Sequence, residues 1–123
     1  MLWIAVALGG SLGAIVRYAL SLAFMSTSGK LPYATLTANV IGSFLMGVFF
    51  VLIIHKGVLP MVWRHVVMVG FLGAFTTFSA FSIESLQLIQ IGQWQLAIFY
   101  SVLSVSCCLV AAYLGYTLFD KLF

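Results

Sequence analysis

Gly70-Phe71-Leu72-Gly73-Ala74-Phe75-Thr76-Thr77-Phe78-Ser79-Ala80-Phe81-Ser82 lies within a run that carries no charge from His65 to Ile83. Two glycines and two consecutive β-branched threonines weaken a helix here, and the hydroxyls offer the backbone alternative partners. The stretch is compatible with two structures. One is a continuous helix whose small residues allow close packing. The other is a broken helix, which at membrane depth survives only where the freed amides and carbonyls are buried in protein or line a cavity. Carbonyls freed in that way also suit a small hard cation such as Na⁺.

The rest of the chain sets this stretch in a membrane. Of 123 residues, 64% are hydrophobic and 6% are charged, with a mean hydropathy of +1.24. A water-soluble domain has about 25% charged residues, so a globule of this composition lacks the polar groups to coat its surface. The charges are Arg17, Lys30, Lys56, Arg64, Glu84, Asp120 and Lys121. They leave charge-free runs from Met1 to Val16, Leu31 to Ile54, His65 to Ile83 and Ser85 to Phe119, and a bilayer span needs about 20 apolar residues. Four spans are predicted at about Leu2–Phe24, Tyr33–His55, Trp63–Ile91 and Trp94–Phe119, in a single domain. Between them lie Ser26–Pro32, Lys56–Pro60 and Gly92-Gln93. Trp3, Tyr33, Trp63 and Trp94 stand at span ends, as in an aromatic belt. The first span has no basic segment before it and reads as a retained span rather than a signal peptide.

A net charge of +3 from single scattered basic residues is no phosphate-binding patch, so no nucleic-acid partner is expected. Cys107 and Cys108, adjacent in an apolar run, read as small packing residues. Four spans put both termini on one side. That side also holds Lys56, Arg64, Asp120 and Lys121, against Lys30 on the other, a weak bias. Charge alone favours one orientation with the termini inside over insertion in both orientations followed by antiparallel pairing.

The polar residues fall in helical register. Thr35, Asn39 and Ser43 recur every four residues in the second span, and Tyr100, Ser104 and Cys108 do so in the fourth. An amide such as Asn39 at this depth is an interhelical clamp or a group facing a permeant species. Phe78 and Phe81 share a face with Glu84 one turn on. Their usual role is packing, but ring edges carry positive potential and meet an anion weakly. Glu84 is the acid within a span, a position that marks a pathway, pairs with a cation or lies near the solvated interface. Gly9 and Gly13 form a GxxxG pair for close helix contact. Arg17 either snorkels to the headgroups or draws anions into a vestibule.

Three blocks of this chain resemble the Fluc/CrcB family of fluoride channels: Gly9-Gly10 through Arg17-Tyr18, Thr35 through Asn39 with Gly42-Ser43-Phe44, and Gly70 through Phe81. The resemblance extends over nearly the whole chain. It implies an all-α membrane protein of four transmembrane helices, broken in the third, that works as an antiparallel, dual-topology homodimer. The implied activity is fluoride-specific conduction, giving passive efflux across the inner cell membrane and relief of cytoplasmic fluoride toxicity. By the same resemblance, Asn39, Phe78, Phe81, Ser104 and Tyr100 belong to the fluoride pathway, and Arg17 and Glu84 to its mouth or vestibule. The backbone carbonyls of Gly73 and Thr76 would hold a structural Na⁺ that is not transported. The expected partners are fluoride, a second copy and the bilayer. Ala34 and Ala74 stand where the family usually has Gly, Ala80 where it has Thr, and Cys108 where Ser is common, so the polar track carries fewer hydroxyls.

No nucleophile, metal cluster or phosphate loop points to an enzyme. Two other membrane functions fit the span pattern. A small proton-coupled exporter also pairs antiparallel but needs a carboxylate deep in its pocket, whereas Glu84 comes late in the third span. A non-transporting assembly subunit would use the polar stripes as interhelical glue.

Overall fold

The computed structural model describes residues 1–25 and 31–123; most of the first predicted loop, including Lys30, lies outside the described residues. Four helical stretches are long and apolar enough to cross a bilayer: Leu2–Ala23, Tyr33–His55, Arg64–Gln90 and Trp94–Leu122. These agree with the predicted spans to within a few residues, and no strand occurs among the described residues. We name them α1 (Leu2–Ala23), α2 (Tyr33–Phe49, continued by the π-wound Phe50–His55), α3 (the π-wound Arg64–Leu72, closed by the α-turn Gly73–Phe75), α4 (Phe78–Gln90) and α5 (Trp94–Leu122). At 1.5 Å per residue, the 22 residues of α1 span about 33 Å, the thickness of a hydrocarbon core.

The third span is two helices. Thr76 (φ −78°, ψ 153°) and Thr77 (φ −151°, ψ 106°) are extended. The amide of Thr76 and its hydroxyl both donate to Leu72 O, at 3.0 and 2.8 Å. Two donors on one carbonyl close the end of α3. Thr77 then starts α4 as its N-cap, its Oγ1 accepting from Ala80 N–H at 3.2 Å, which satisfies one of the donors a helix start leaves free. The broken alternative is therefore the one realised.

Glycines decide which helices pair. α1 packs on α3, and α2 on α5. A Cβ at Gly9 would fall on the carbonyl oxygen of Val66, and one at Gly13 on that of Phe71. The GxxxG pair thus serves the close contact expected of it. Its two positions are four residues apart and the carbonyls they meet are five apart, so one α-turn of α1 lies against one wider turn of the π-wound α3. The α2–α5 contact is reciprocal: Gly47 abuts the Ala112 carbonyl and Gly115 that of Phe44. Without a hydrophobic drive between helices in lipid, such close backbone approach is what dispersion attraction requires. Val51, Leu72 and Tyr100 are the largest fully enclosed side chains. Leu8, Leu12, Ile15, Leu109 and Val110 point outward, as lipid-facing residues do.

Candidate functional site

Asn39 holds the break in place. Its Oδ1 accepts from Thr77 N–H at 2.7 Å and its Nδ2 donates to Thr77 O at 3.1 Å. In an unbroken helix the Thr77 amide would reach Gly73 O. Here α2 supplies the partner instead, and both backbone groups of Thr77 are satisfied at membrane depth. Gly42, one turn further along α2, lets Thr76 approach: a Cβ there would fall on Thr76 Cγ2. Asn39 is thus a clamp, one of the two roles open to it from sequence. Because a carboxamide has two N–H groups and two lone pairs, one donor and one acceptor remain beyond the clamp.

A cavity of about 410 Å³ lies against this break. Asn39, Gly42, Ser43 and Met46 of α2 form one wall, Thr76, Thr77, Phe78 and Phe81 a second, and Ser104, Cys108 and Ala112 of α5 a third. Most of the surface is apolar, with a few hydroxyls and one amide converging on it. Phe78 is 75% exposed, and the cavity opens to the outside of the chain. The two phenylalanines meet at 5.2 Å between ring centres, tilted by 49°. Phe81 makes a similar contact with Tyr100, at 5.3 Å. The spacing Phe78, Phe81 therefore places both rings in one aromatic row that ends at Tyr100.

A smaller cavity of about 280 Å³ lies on the other side of Thr77, bounded by Arg17, Tyr18 and Ser21 of α1, Thr35 of α2, and Ala80 and Glu84 of α4. Thr77 lines both spaces. Glu84 is held from two sides: Thr35 Oγ1 donates to Oε1 at 2.6 Å and Tyr100 OH donates to Oε2 at 2.9 Å. The two hydrogen bonds fix the orientation of the carboxyl group. Arg17 shares this cavity without an ion pair to Glu84, and its Nε has no partner among the described residues.

The structure thus brings Asn39, Phe78, Phe81 and Ser104 to one cavity and Arg17 and Glu84 to another, with Tyr100 between them through Phe81 and Glu84. Gly73 lies in the last turn of α3 and is not a wall of either cavity. The stripe Thr35-Asn39-Ser43 divides, Thr35 turning to Glu84 and the other two to the larger cavity. The residue missed from sequence is Thr77, quoted there only as a helix-weakening threonine. A threonine ahead of a helical run is a local N-cap signal, but its clamp to Asn39 spans 38 residues and leaves no local trace. Met46 lines the cavity and could not be told from a packing residue.

Four apolar helices around two cavities that meet at a broken helix define a multi-pass membrane protein. The family described as "CrcB-like protein, Camphor Resistance (CrcB)" matches residues 4–116, and the chain belongs to it. A protein of Saccharophagus degradans named "Fluoride-specific ion channel FluC" is 59% identical over 122 residues, covering 99% of this chain and 92% of its own length. Proteins of the same name from Magnetococcus marinus and Shewanella oneidensis are 49% and 47% identical over 111 residues, 89% of this chain, and are covered to 90% and 89% of their lengths. The family resemblance seen in the three sequence blocks is therefore correct, and these relatives are named as channels rather than enzymes.

Proposed function

We propose that this chain is a fluoride-specific ion channel subunit giving passive fluoride efflux across the inner cell membrane. The observation that carries the proposal is the pair of cavities that share Thr77, with the Phe78–Phe81 row along one and Arg17 near the mouth of the other. Fluoride holds water strongly, so a pore must replace that water with donors and still release the ion. The spare Asn39 N–H and the Ser104 hydroxyl, unpartnered among the described residues, are donors of that kind, while Tyr100, whose one hydroxyl hydrogen goes to Glu84, backs the aromatic row. The ring edges of Phe78 and Phe81 supply weak positive potential without a full charge to trap the anion. Arg17 raises the local anion concentration at the mouth. Weak acid that enters as neutral HF dissociates inside, and the anion leaves down its electrochemical gradient, which lowers cytoplasmic toxicity.

The exposed face of Phe78 and the open side of the cavity support a working unit of two copies, paired antiparallel as a dual-topology homodimer. The weak charge bias between the two sides is compatible with insertion both ways. A structural Na⁺ fits the break. The amide that would bond Gly73 O is taken by Asn39, Thr76 is extended, and uncharged carbonyl oxygens suit a small hard cation. When bound, that ion supplies a fixed positive charge between the copies. The carbonyls of Gly73 and Thr76 are the groups that would hold it.

Efflux from liposomes loaded with fluoride, read with a fluoride electrode and repeated with chloride, tests the proposal. Fluoride flux with no chloride flux is expected, and Phe81→Ile or Phe78→Ile should cut it sharply while the protein remains folded. Absence of fluoride flux, or equal chloride flux, would overturn the channel assignment.

A further inference from the structure

We propose that α1 sets the winding of α3 and thereby places the break, with Gly9 and Gly13 acting as positioning residues that bring Thr77 to Asn39. The two helices run in the same direction, Gly9 against Val66 and Gly13 against Phe71, and a Cβ at either glycine would fall on the carbonyl oxygen it faces. Gly70 returns the contact, since a Cβ there would lie 2.8 Å from Val6 O and 3.1 Å from Gly10 N. Gly9 and Gly13 are separated by about 6 Å along α1, the rise of four α-helical residues. Five residues of α3 cover the same distance. At about 100° per residue, five residues of a plain α-helix turn through about 500°, which would leave the Val66 and Phe71 carbonyls about 140° apart around the axis. Both meet α1, so here the five make close to one full turn. The Gly73 N–H that closes Arg64–Leu72 accordingly reaches Met68 O, five residues back, as well as Gly70 O.

π winding is rare and is mostly confined to single turns, often at functional sites. Nine residues of it therefore need a hold from outside, and α1 is the chief helix packed on them. What the hold controls is the phase of everything that follows. With Val66 kept against Gly9, relaxation of α3 to plain α winding would swing Leu72 and the Thr76-Thr77 break by about 140°. Leu72 is fully enclosed and its carbonyl takes both donors of Thr76, while Thr77 makes both of its backbone bonds to Asn39. Neither arrangement survives such a rotation. Gly9 and Gly13 line neither cavity, so they act on the pathway through α3 alone. The same geometry makes one residue between Val66 and Phe71 expendable. Without it, four residues separate the two contacts, and a plain α-helix has both the phase and the length that α1 requires.

Hydrogen exchange at Thr77 in the purified full chain, with fluoride flux in liposomes beside it, tests this. Only the flux readout rests on the channel function proposed above; a chain that conducts no fluoride would refute that function and leave the exchange test standing. Gly13→Ala should speed Thr77 exchange by about tenfold or more and remove most of the flux, because its Cβ displaces the Phe71 carbonyl and frees α3 to rewind. Gly10→Ala, whose Cβ meets Gly70 O at an ordinary 3.8 Å, should leave both unchanged. Deletion of the outward-facing Val69 should leave Thr77 protected and the flux close to that of wild type. Deletion of Ile83, outward-facing on the α-wound α4, should lower the melting temperature and abolish flux. Adding the Val69 deletion to Gly13→Ala should restore Thr77 protection though not the melting temperature, which a purely structural role for Gly13 does not allow. Where Gly13→Ala does not fold, the two deletions decide alone. Thr77 exchange unmoved by Gly13→Ala, a loss that the Val69 deletion does not reverse, or a Val69 deletion as damaging as that of Ile83 overturns the proposal.

Discussion

Replacing Asn39 by Leu removes both halves of the clamp on Thr77 while keeping the side chain close to its original volume. Thr77 is 9% exposed, so little water reaches the groups left without partners. A buried amide or carbonyl left unpaired costs about 1–3 kcal/mol. Interhelical hydrogen bonds measured within membranes average about 0.6 kcal/mol, with a maximum of about 1.7. The lower figure reflects unfolded states that find other partners. The clamp lies toward the upper end because it has two bonds, 2.7 and 3.1 Å long, to one backbone unit that has already left its helix. The expected loss is about 2 kcal/mol, roughly a 30-fold change in the folding equilibrium. The Thr77 amide has one route of escape, which is to swing back to Gly73 O and make α3 and α4 continuous. Asn39→Leu should therefore abolish fluoride flux as well as lower stability. Asn39→Asp keeps the acceptor for Thr77 N–H and loses the donor to Thr77 O, so its stability should fall between wild type and Asn39→Leu. Reversible unfolding in mixed micelles gives the energies, and hydrogen exchange at Thr77 reports the clamp itself. A loss below about 0.5 kcal/mol for Asn39→Leu, with Thr77 exchange unchanged, would refute the clamp.

Other substitutions have equally definite outcomes. Gly13→Ala should destabilise by about 2–3 kcal/mol in the same unfolding assay, because its Cβ meets the Phe71 backbone carbonyl, which cannot rotate away. Gly57→Ala meets open space but sits at φ +63°, so backbone strain alone should cost it about 1 kcal/mol. Glu84→Gln offers one acceptor oxygen where Thr35 and Tyr100 now share two, so fluoride flux should fall. Adding Tyr100→Phe should then cost less than it does in wild type, by a coupling of about 1 kcal/mol. Cys108 lines the larger cavity. A small thiol-reactive reagent should block flux through wild type and spare Cys108→Ser, and that variant, with a hydroxyl restored to the wall, should conduct faster in the liposome assay.

Much of the architecture could be read locally. The four spans follow from where Ser26–Pro32, Lys56–Pro60 and Gly92-Gln93 interrupt an otherwise apolar chain, because the bilayer sets the length of each apolar run. The weakness at Thr76-Thr77 was visible for a similar reason: β-branched and hydroxylic residues compete with helix wherever they stand. Whether the helix breaks was not visible. That depends on a partner for the freed Thr77 amide, and the partner, Asn39, lies on another helix. The residue types of the site were also legible, since a lone amide and a lone carboxylate in apolar runs attract attention. Their division between two cavities was not. Thr35 and Asn39 occupy the same stripe of α2 yet face Glu84 and Thr77 respectively, and only the position of α4 separates them.

The sequence by itself determined that this is a four-helix membrane protein with a weak point in its third span, because hydropathy and backbone propensity act along the chain. Tertiary structure decided which helices touch and what the polar groups do. Gly9 and Gly13 announce a close contact without naming its partner, and nothing local shows that their four-residue spacing meets carbonyls five residues apart on a π-wound α3. That match is a property of two surfaces in contact. The same holds for Asn39, Thr77 and Glu84: each must satisfy its hydrogen bonds where water is absent, and its partners come from distant turns of other helices.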